Sequence, residues 1–302
     1  MLPSADLKPA YDKIVWLYVY RDFSKSEADL KAERISLRFG LTSWPQLILV
    51  DPESLRVLRQ TGRTVTSFLA AVDSAEVKTR ESSTAVDRVK QADARAIQLE
   101  SDSSVALAKQ YLDDEDIVVR YRALSILAEQ DPESVAARAE PLLQVRNDPF
   151  RYEVCKVLSK TENAAANSAL ESLVRRPAYS NNPNVLRSRA VAALAACGDV
   201  DSVDAIRPFA KGSYLNMLTR TAVDSLAAIA SRHPEARDRV RQILIEAYPA
   251  PPPEPSQTHF RYCLSLARRV HSALEKITGE SRAFPDVYDS AARDKLMQSW
   301  QE

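Results

Sequence analysis

The sequence is poor in glycine, cysteine and histidine: its 302 residues include five, three and three of them. Each scarcity excludes a class of function. Five isolated glycines cannot build a phosphate loop or a G-x-G-x-x-G turn, and no G-x-S-x-G is present. So few glycines fit a strongly helical chain, because glycine's backbone freedom costs helix stability. Cys155, Cys197 and Cys263 are too few and too widely separated for a disulfide scaffold or a zinc site. The spacing of His233, His259 and His271 suits neither a zinc-binding helix nor a catalytic pair. The acidic run Asp113–Asp116 lacks the alternating ligands and central glycine of a calcium loop. No catalytic residue, cofactor site or metal site is therefore predicted.

Excess charge is also missing. Lys+Arg and Asp+Glu both number 41, so no overall field draws the chain to nucleic acid or an anionic membrane, and neither is an expected partner. No apolar run approaches the roughly 20 residues needed to span a bilayer. The longest, Ile14 to Tyr20, has the length of a strand. The first ten residues lack the basic start and hydrophobic middle of a signal peptide.

What is present is a four-fold echo: VVRYRALSIL, PFRYEVCKVL, VLRSRAVAAL and MLTRTAVDSL. With Arg120, Arg151, Arg187 and Thr219 in register, the copies recur at steps of 31, 36 and 32 residues. Ala123, Val154, Ala190 and Ala222 then form one column, and Leu127, Leu158, Leu194 and Leu226 another, four residues on and so on the same helical face. Cys155 shares a third column with Leu124, Val191 and Val223, which marks it as a small buried hydrophobe. A recurrence of this length with helical spacing inside each copy is the signature of a stacked α-solenoid. Proline punctuation agrees: Asp131-Pro132-Glu133, Asp148-Pro149 and Asn182-Pro183 each read as a helix cap followed by proline in the first turn.

The array resembles HEAT repeats, each a pair of antiparallel helices. The pairs expected are Ser104–Leu112 with Ile117–Glu129, Pro132–Leu143 with Pro149–Leu158, Ala165–Val174 with Pro183–Ala196, and Asp201–Ala210 with Tyr214–Ser231. A fifth first helix runs Pro234–Ala247, and its partner Phe260–Ile277 follows the proline-rich excursion Tyr248–Pro255. In HEAT arrays the second helices line the concave surface. By this resemblance the columns between the core positions supply candidate partner contacts: Arg122, Glu153, Arg189 and Thr221 from one, Lys156 and Asp224 from the other. The resemblance also implies that Arg120, Arg151 and Arg187 pair with acids of neighbouring turns, a role that fits the turn Leu112–Asp116. The stretch Leu274–Gly279 (LEKITG), followed by Phe284 and Trp300, is similar to the closing segment of many bacterial HEAT-repeat proteins, where an aromatic-bearing tail folds over the last repeat.

The first 75 residues follow another pattern. Lys13–Tyr20 and Gln46–Val50 have strand composition, Ser26–Phe39 has helical spacing, and a short strand LRVLRQ and a helix Val65–Val72 follow. The segment FGLTSWPQLILVDPE, with Trp44–Pro45 ahead of the middle strand, resembles the second half of the thioredoxin fold. That likeness implies a cis peptide at Pro45. It departs from the family in having no cysteine before Cys155, hence no Cys-x-x-Cys. Either the domain is a relic, or the chain begins inside a longer protein whose signal peptide and redox cysteines lie upstream.

The expected organisation is a partial thioredoxin-like α/β domain (1–75), a polar linker with a capping helix (76–103) and a HEAT-like α-solenoid with a C-terminal tail (104–302). The expected function is a non-enzymatic scaffold that binds a protein through the concave face of about five hairpins. The alternatives are a fragment of a thiol redox protein and a protein resembling HEAT-like bilin lyases.

Overall fold

The computed structural model describes residues 5–11, 13–15, 17, 19, 26–42, 46–51, 55–62, 64–75, 83–177, 180, 182–252 and 256–301. The protein is mainly α-helical with one two-stranded sheet among these residues. It divides into two compact units, 1–127 and 128–302.

In the first unit a short helix α1 (Lys8–Tyr11) precedes α2 (Glu27–Arg38). The Ser26 side chain caps α2 by accepting from the Asp29 N–H, and Gly40 takes the left-handed turn that ends it, with φ of 64°. Strands β1 (Leu47–Val50) and β2 (Val57–Thr61) form an antiparallel hairpin in which Leu47 faces Thr61, with a register shift between Leu49 and Val50. Helix α3 (Val65–Asp73), capped by Thr64, follows, and Leu7, Ala10, Leu49, Phe68 and Val72 share one apolar core. Helix, strand, strand and helix thus stand where the residue pattern places them. The strand expected at Lys13–Tyr20 is not formed at its described residues: Lys13 lies in a turn, no ladder reaches Ile14, Val15, Leu17 or Val19, and Val15 and Leu17 are exposed. β-branched composition favours a strand only where a neighbour supplies the ladder. Pro45 lies outside the described residues.

Helix α4 (Ser83–Ser101) buries Ala92, Ala96 and Leu99, then α5 (Val105–Tyr111) and α6 (Ile117–Gln130) follow. Ion pairs bind these helices to α2: Arg34 to Glu100, and Arg38 to both Asp93 and Asp116. The acidic turn is engaged from α4 as well, with Arg95 held 2.9 Å from Asp114.

In the second unit α7 (Pro132–Ala136) and α8 (Ala139–Leu143) replace the single helix expected over Pro132–Leu143. Pro141 explains the break. It has no N–H for the residue-137 carbonyl and its ring would clash there, whereas proline fits the first turn of a new helix. The remaining pairs are α9 (Asp148–Leu158), α10 (Ala164–Arg175) with α11 (Pro183–Cys197), α12 (Ser202–Ala210) with α13 (Met217–Arg232), and α14 (Arg237–Glu246) with α15 (Gln257–Thr278). α9, α11, α13 and α15 pack side by side in chain order, as do α8, α10, α12 and α14. All eight residues of the Ala/Val and Leu columns are fully buried, and so are Leu124, Val191 and Val223, with Cys155 nearly so. The apolar echo of the sequence is therefore a core.

Helix α13 begins three residues later than expected, because Asn216 caps it by accepting from the Leu218 N–H. Asn147, not Asp148, caps α9, which frees Asp148 for another partner. After Gly279, in the left-handed region at φ 76°, the tail ends in a further helix, α16 (Ser290–Ser299). Its anchor Trp300 is fully buried.

Candidate functional site

The six candidate contact residues lie on α6, α9, α11 and α13, and the structure gives each a distinct environment. In the first unit Arg122 is engaged. Its guanidinium pairs with Glu33 of α2 at 2.8 Å and Glu100 of α4 at 2.9 Å, and its side chain is 16% exposed. Arg122 ties three helices together. Arg122→Ala should lower the stability of the first unit by about 1–3 kcal/mol, between the values for exposed and buried pairs. Chemical denaturation of the variant measures it.

In the second unit three of the candidates, Arg189, Thr221 and Asp224, bridge successive helices. On α9, Glu153 and the exposed Lys156 pair at 2.8 Å. Arg189 of α11 is exposed and lies over the Tyr152 ring of α9, 5.8 Å from its centroid. Tyr152 is half-buried, and desolvation pushes its hydroxyl up to about 12. Thr221 of α13 shares a 2.9 Å hydrogen bond with Ser188 of α11 and donates to the Met217 carbonyl. Asp224 pairs with Arg269 of α15. These bonds run from helix to helix along one polar face opposite the buried columns. Ala192 lies on it, exposed.

Two of the register arginines, Arg151 and Arg187, have partners other than the expected ladder. Arg151 is buried and pairs with Asp148 of its own helix, which also accepts from Ser180 at 2.9 Å. Arg187 donates to the Val174 carbonyl at 3.0 Å and lies over the Phe209 ring. Asp116 and Asp114 of the acidic turn meet Arg38 and Arg95. Sequence reasoning missed a second device, the closure of α11. Arg232 donates to the carbonyls of Leu194, Ala195 and Gly198, and Asn167 donates to that of Cys197. A cation and an amide thus bond to carbonyls at the C-terminal end of the helix, where intrahelical donors run out.

The three thiols are buried, and burial is the main cause pushing them up: Cys155 to about 12, Cys197 to about 11, and Cys263 upward. A thiol held protonated is a poor nucleophile. In the unfolded chain the same groups ionise near pH 9. Below that pH both states keep the proton, so stability is unaffected. Above it the unfolded state alone ionises, and stability is lost progressively as pH rises towards the folded values. Urea midpoints should therefore fall between pH 9 and 11, and fall less in a variant with all three cysteines replaced by alanine. Equal slopes would contradict this origin.

Among the described residues no group of His, Cys, Asp and Glu is arranged to hold a metal ion, and no helix is long and apolar enough to cross a membrane. Residues 105–182 match the family of HEAT repeats. No curated protein and no solved structure matches the chain. HEAT repeats commonly mediate protein–protein interaction. The chain is a mainly helical protein whose residues 105–182 are similar to HEAT repeats.

Proposed function

We propose that the chain is a non-enzymatic protein-binding scaffold, an α-solenoid of about five HEAT-like hairpins preceded by a small α/β domain of partial thioredoxin likeness. The observation that carries this reading is the division of labour on the second helices. Their apolar columns are sealed, while Glu153, Lys156, Arg189, Ala192, Thr221 and Asp224 line a polar face on α9, α11 and α13. The three buried cysteines lend no support to a thiol redox role. The hairpin β1–β2 followed by α3 keeps the order expected for the closing half of a thioredoxin-like domain.

A photo-reactive amino acid separates the two surfaces of the second unit. Placed at Ala192 on α11 it should capture a partner in the native cell. Placed at the exposed Ser168 on the first helix α10 it should not. Capture from Ser168 alone would put the binding face on the wrong helices.

A further inference from the structure

The second helices of the second unit carry a charge that the chain as a whole does not. α9, α11, α13 and α15 hold ten Lys/Arg and four Asp/Glu, a net +6, in a chain whose net charge is zero. The first helices α7, α8, α10, α12 and α14 hold five and six, a net −1. The four carboxylates of the second helices are committed: Asp148 to Arg151, Glu153 to Lys156, Asp224 to Arg269, and Glu275 to Ser281 and the Arg282 N–H. Arg187 and Arg232 are directed at carbonyl oxygens.

Arg189, Arg220, Arg261, Arg268 and Lys276 remain, none with a carboxylate at ion-pair distance among the described residues. Arg189 and Arg220 are the sequence neighbours of Ser188 and Thr221, whose hydrogen bond joins α11 to α13. The Asp224–Arg269 pair carries the same face onto α15 beside Arg268. Leu215 and Met217 are exposed at the start of α13, and Tyr262 near the start of α15.

We infer that the partner segment is an acidic peptide, one that offers several Asp/Glu to these guanidiniums and apolar side chains to Met217 and Tyr262; this rests on the reading that the second-helix face binds protein. A guanidinium presents forked donors that match a carboxylate, and a cluster of uncompensated ones favours an anionic ligand. A nucleic acid is disfavoured on two grounds. Five cations neutralise few phosphates, and Glu153 and Asp224 stand among them and would repel a uniform polyanion.

Selection of a random peptide library displayed on phage against the full chain tests this. Enriched peptides should carry excess Asp/Glu, bind more weakly as salt is raised, and lose at least about tenfold in affinity to the Arg189→Glu/Arg220→Glu variant. Arg189→Gln/Arg220→Gln, with less repulsion, serves if the first variant fails to fold. Neutral or basic peptides that are lost on the same substitutions would overturn the acidic partner and leave the binding face standing. Peptides indifferent to both variants, or no enrichment, would overturn the inference and count against the face itself. Displacement of the acidic peptides by oligothymidylate at lower concentration would overturn it in favour of nucleic acid.

Discussion

Arg151→Leu is expected to lower the stability of the second unit by about 3–5 kcal/mol, because it leaves the Asp148 carboxylate buried without its cation. Both side chains are almost wholly buried, at 1% and 3% exposed, and a further partner of that carboxylate is the Ser180 hydroxyl. A hydroxyl donates one hydrogen bond but no charge, so it cannot offset the lost guanidinium. Arg151→Leu combined with Asp148→Asn should recover a large part of the loss, since no unpaired charge then remains. Denaturant midpoints of the two single variants and the double variant measure the coupling. A single-variant loss below 1 kcal/mol would show that the pair is not desolvated as the structure has it.

Trp300→Ala should be comparably costly, about 3–5 kcal/mol for a fully buried aromatic ring. Trp300 closes a cluster at the end of the second unit. Its indole N–H donates to the Tyr248 hydroxyl at 3.1 Å, which in turn lies 3.0 Å from His271 Nδ1. The His271 ring meets Trp300 and Phe284 edge-on, at 5.4 Å and 5.3 Å between centroids, and its Nε2 lies 2.7 Å from the Arg282 carbonyl. Arg282 covers the Trp300 ring 4.7 Å from its centroid, and Arg241 donates to the Trp300 carbonyl. Losing the indole opens a cavity and frees the tail from α15. Amide exchange should quicken in α15 and α16 before it does in α9 and α10. Uniform acceleration would mean instead that the tail and the array unfold as one.

The repeat made the second helices legible with little else. Ala123, Val154, Ala190 and Ala222 recur with the leucines four residues on, and burial at those positions is dictated by helical periodicity alone. Cys155 could be assigned to the core for the same reason. The split of α7 from α8 was within reach, since Pro141 interrupts an otherwise helical stretch. So was α16: Asp289 followed by Ser-Ala-Ala is a cap before helix-forming residues, and its side chain accepts from the Ala292 N–H. Long-range partners were not. Arg122 reads from its column as a candidate partner contact because nothing near it in sequence shows that Glu33, 89 positions away, would meet it. The same holds for Arg232, whose acceptors are carbonyls at the end of α11, more than 30 residues upstream. The run Lys13–Tyr20 had strand composition but no local indication of whether a ladder partner would be there.

The central claim is that successive second helices stack in the register set by the repeat. A designed cross-link tests it most directly. Ser188 and Thr221 occupy neighbouring positions on α11 and α13, with their hydroxyl oxygens 2.9 Å apart. In a Ser188→Cys/Thr221→Cys variant the new thiols should form a disulfide on mild oxidation, with helicity unchanged and the native thiols untouched, since all three are buried. If the two cysteines stay reduced in the folded protein, or bond only after unfolding, the second helices do not stack in this register.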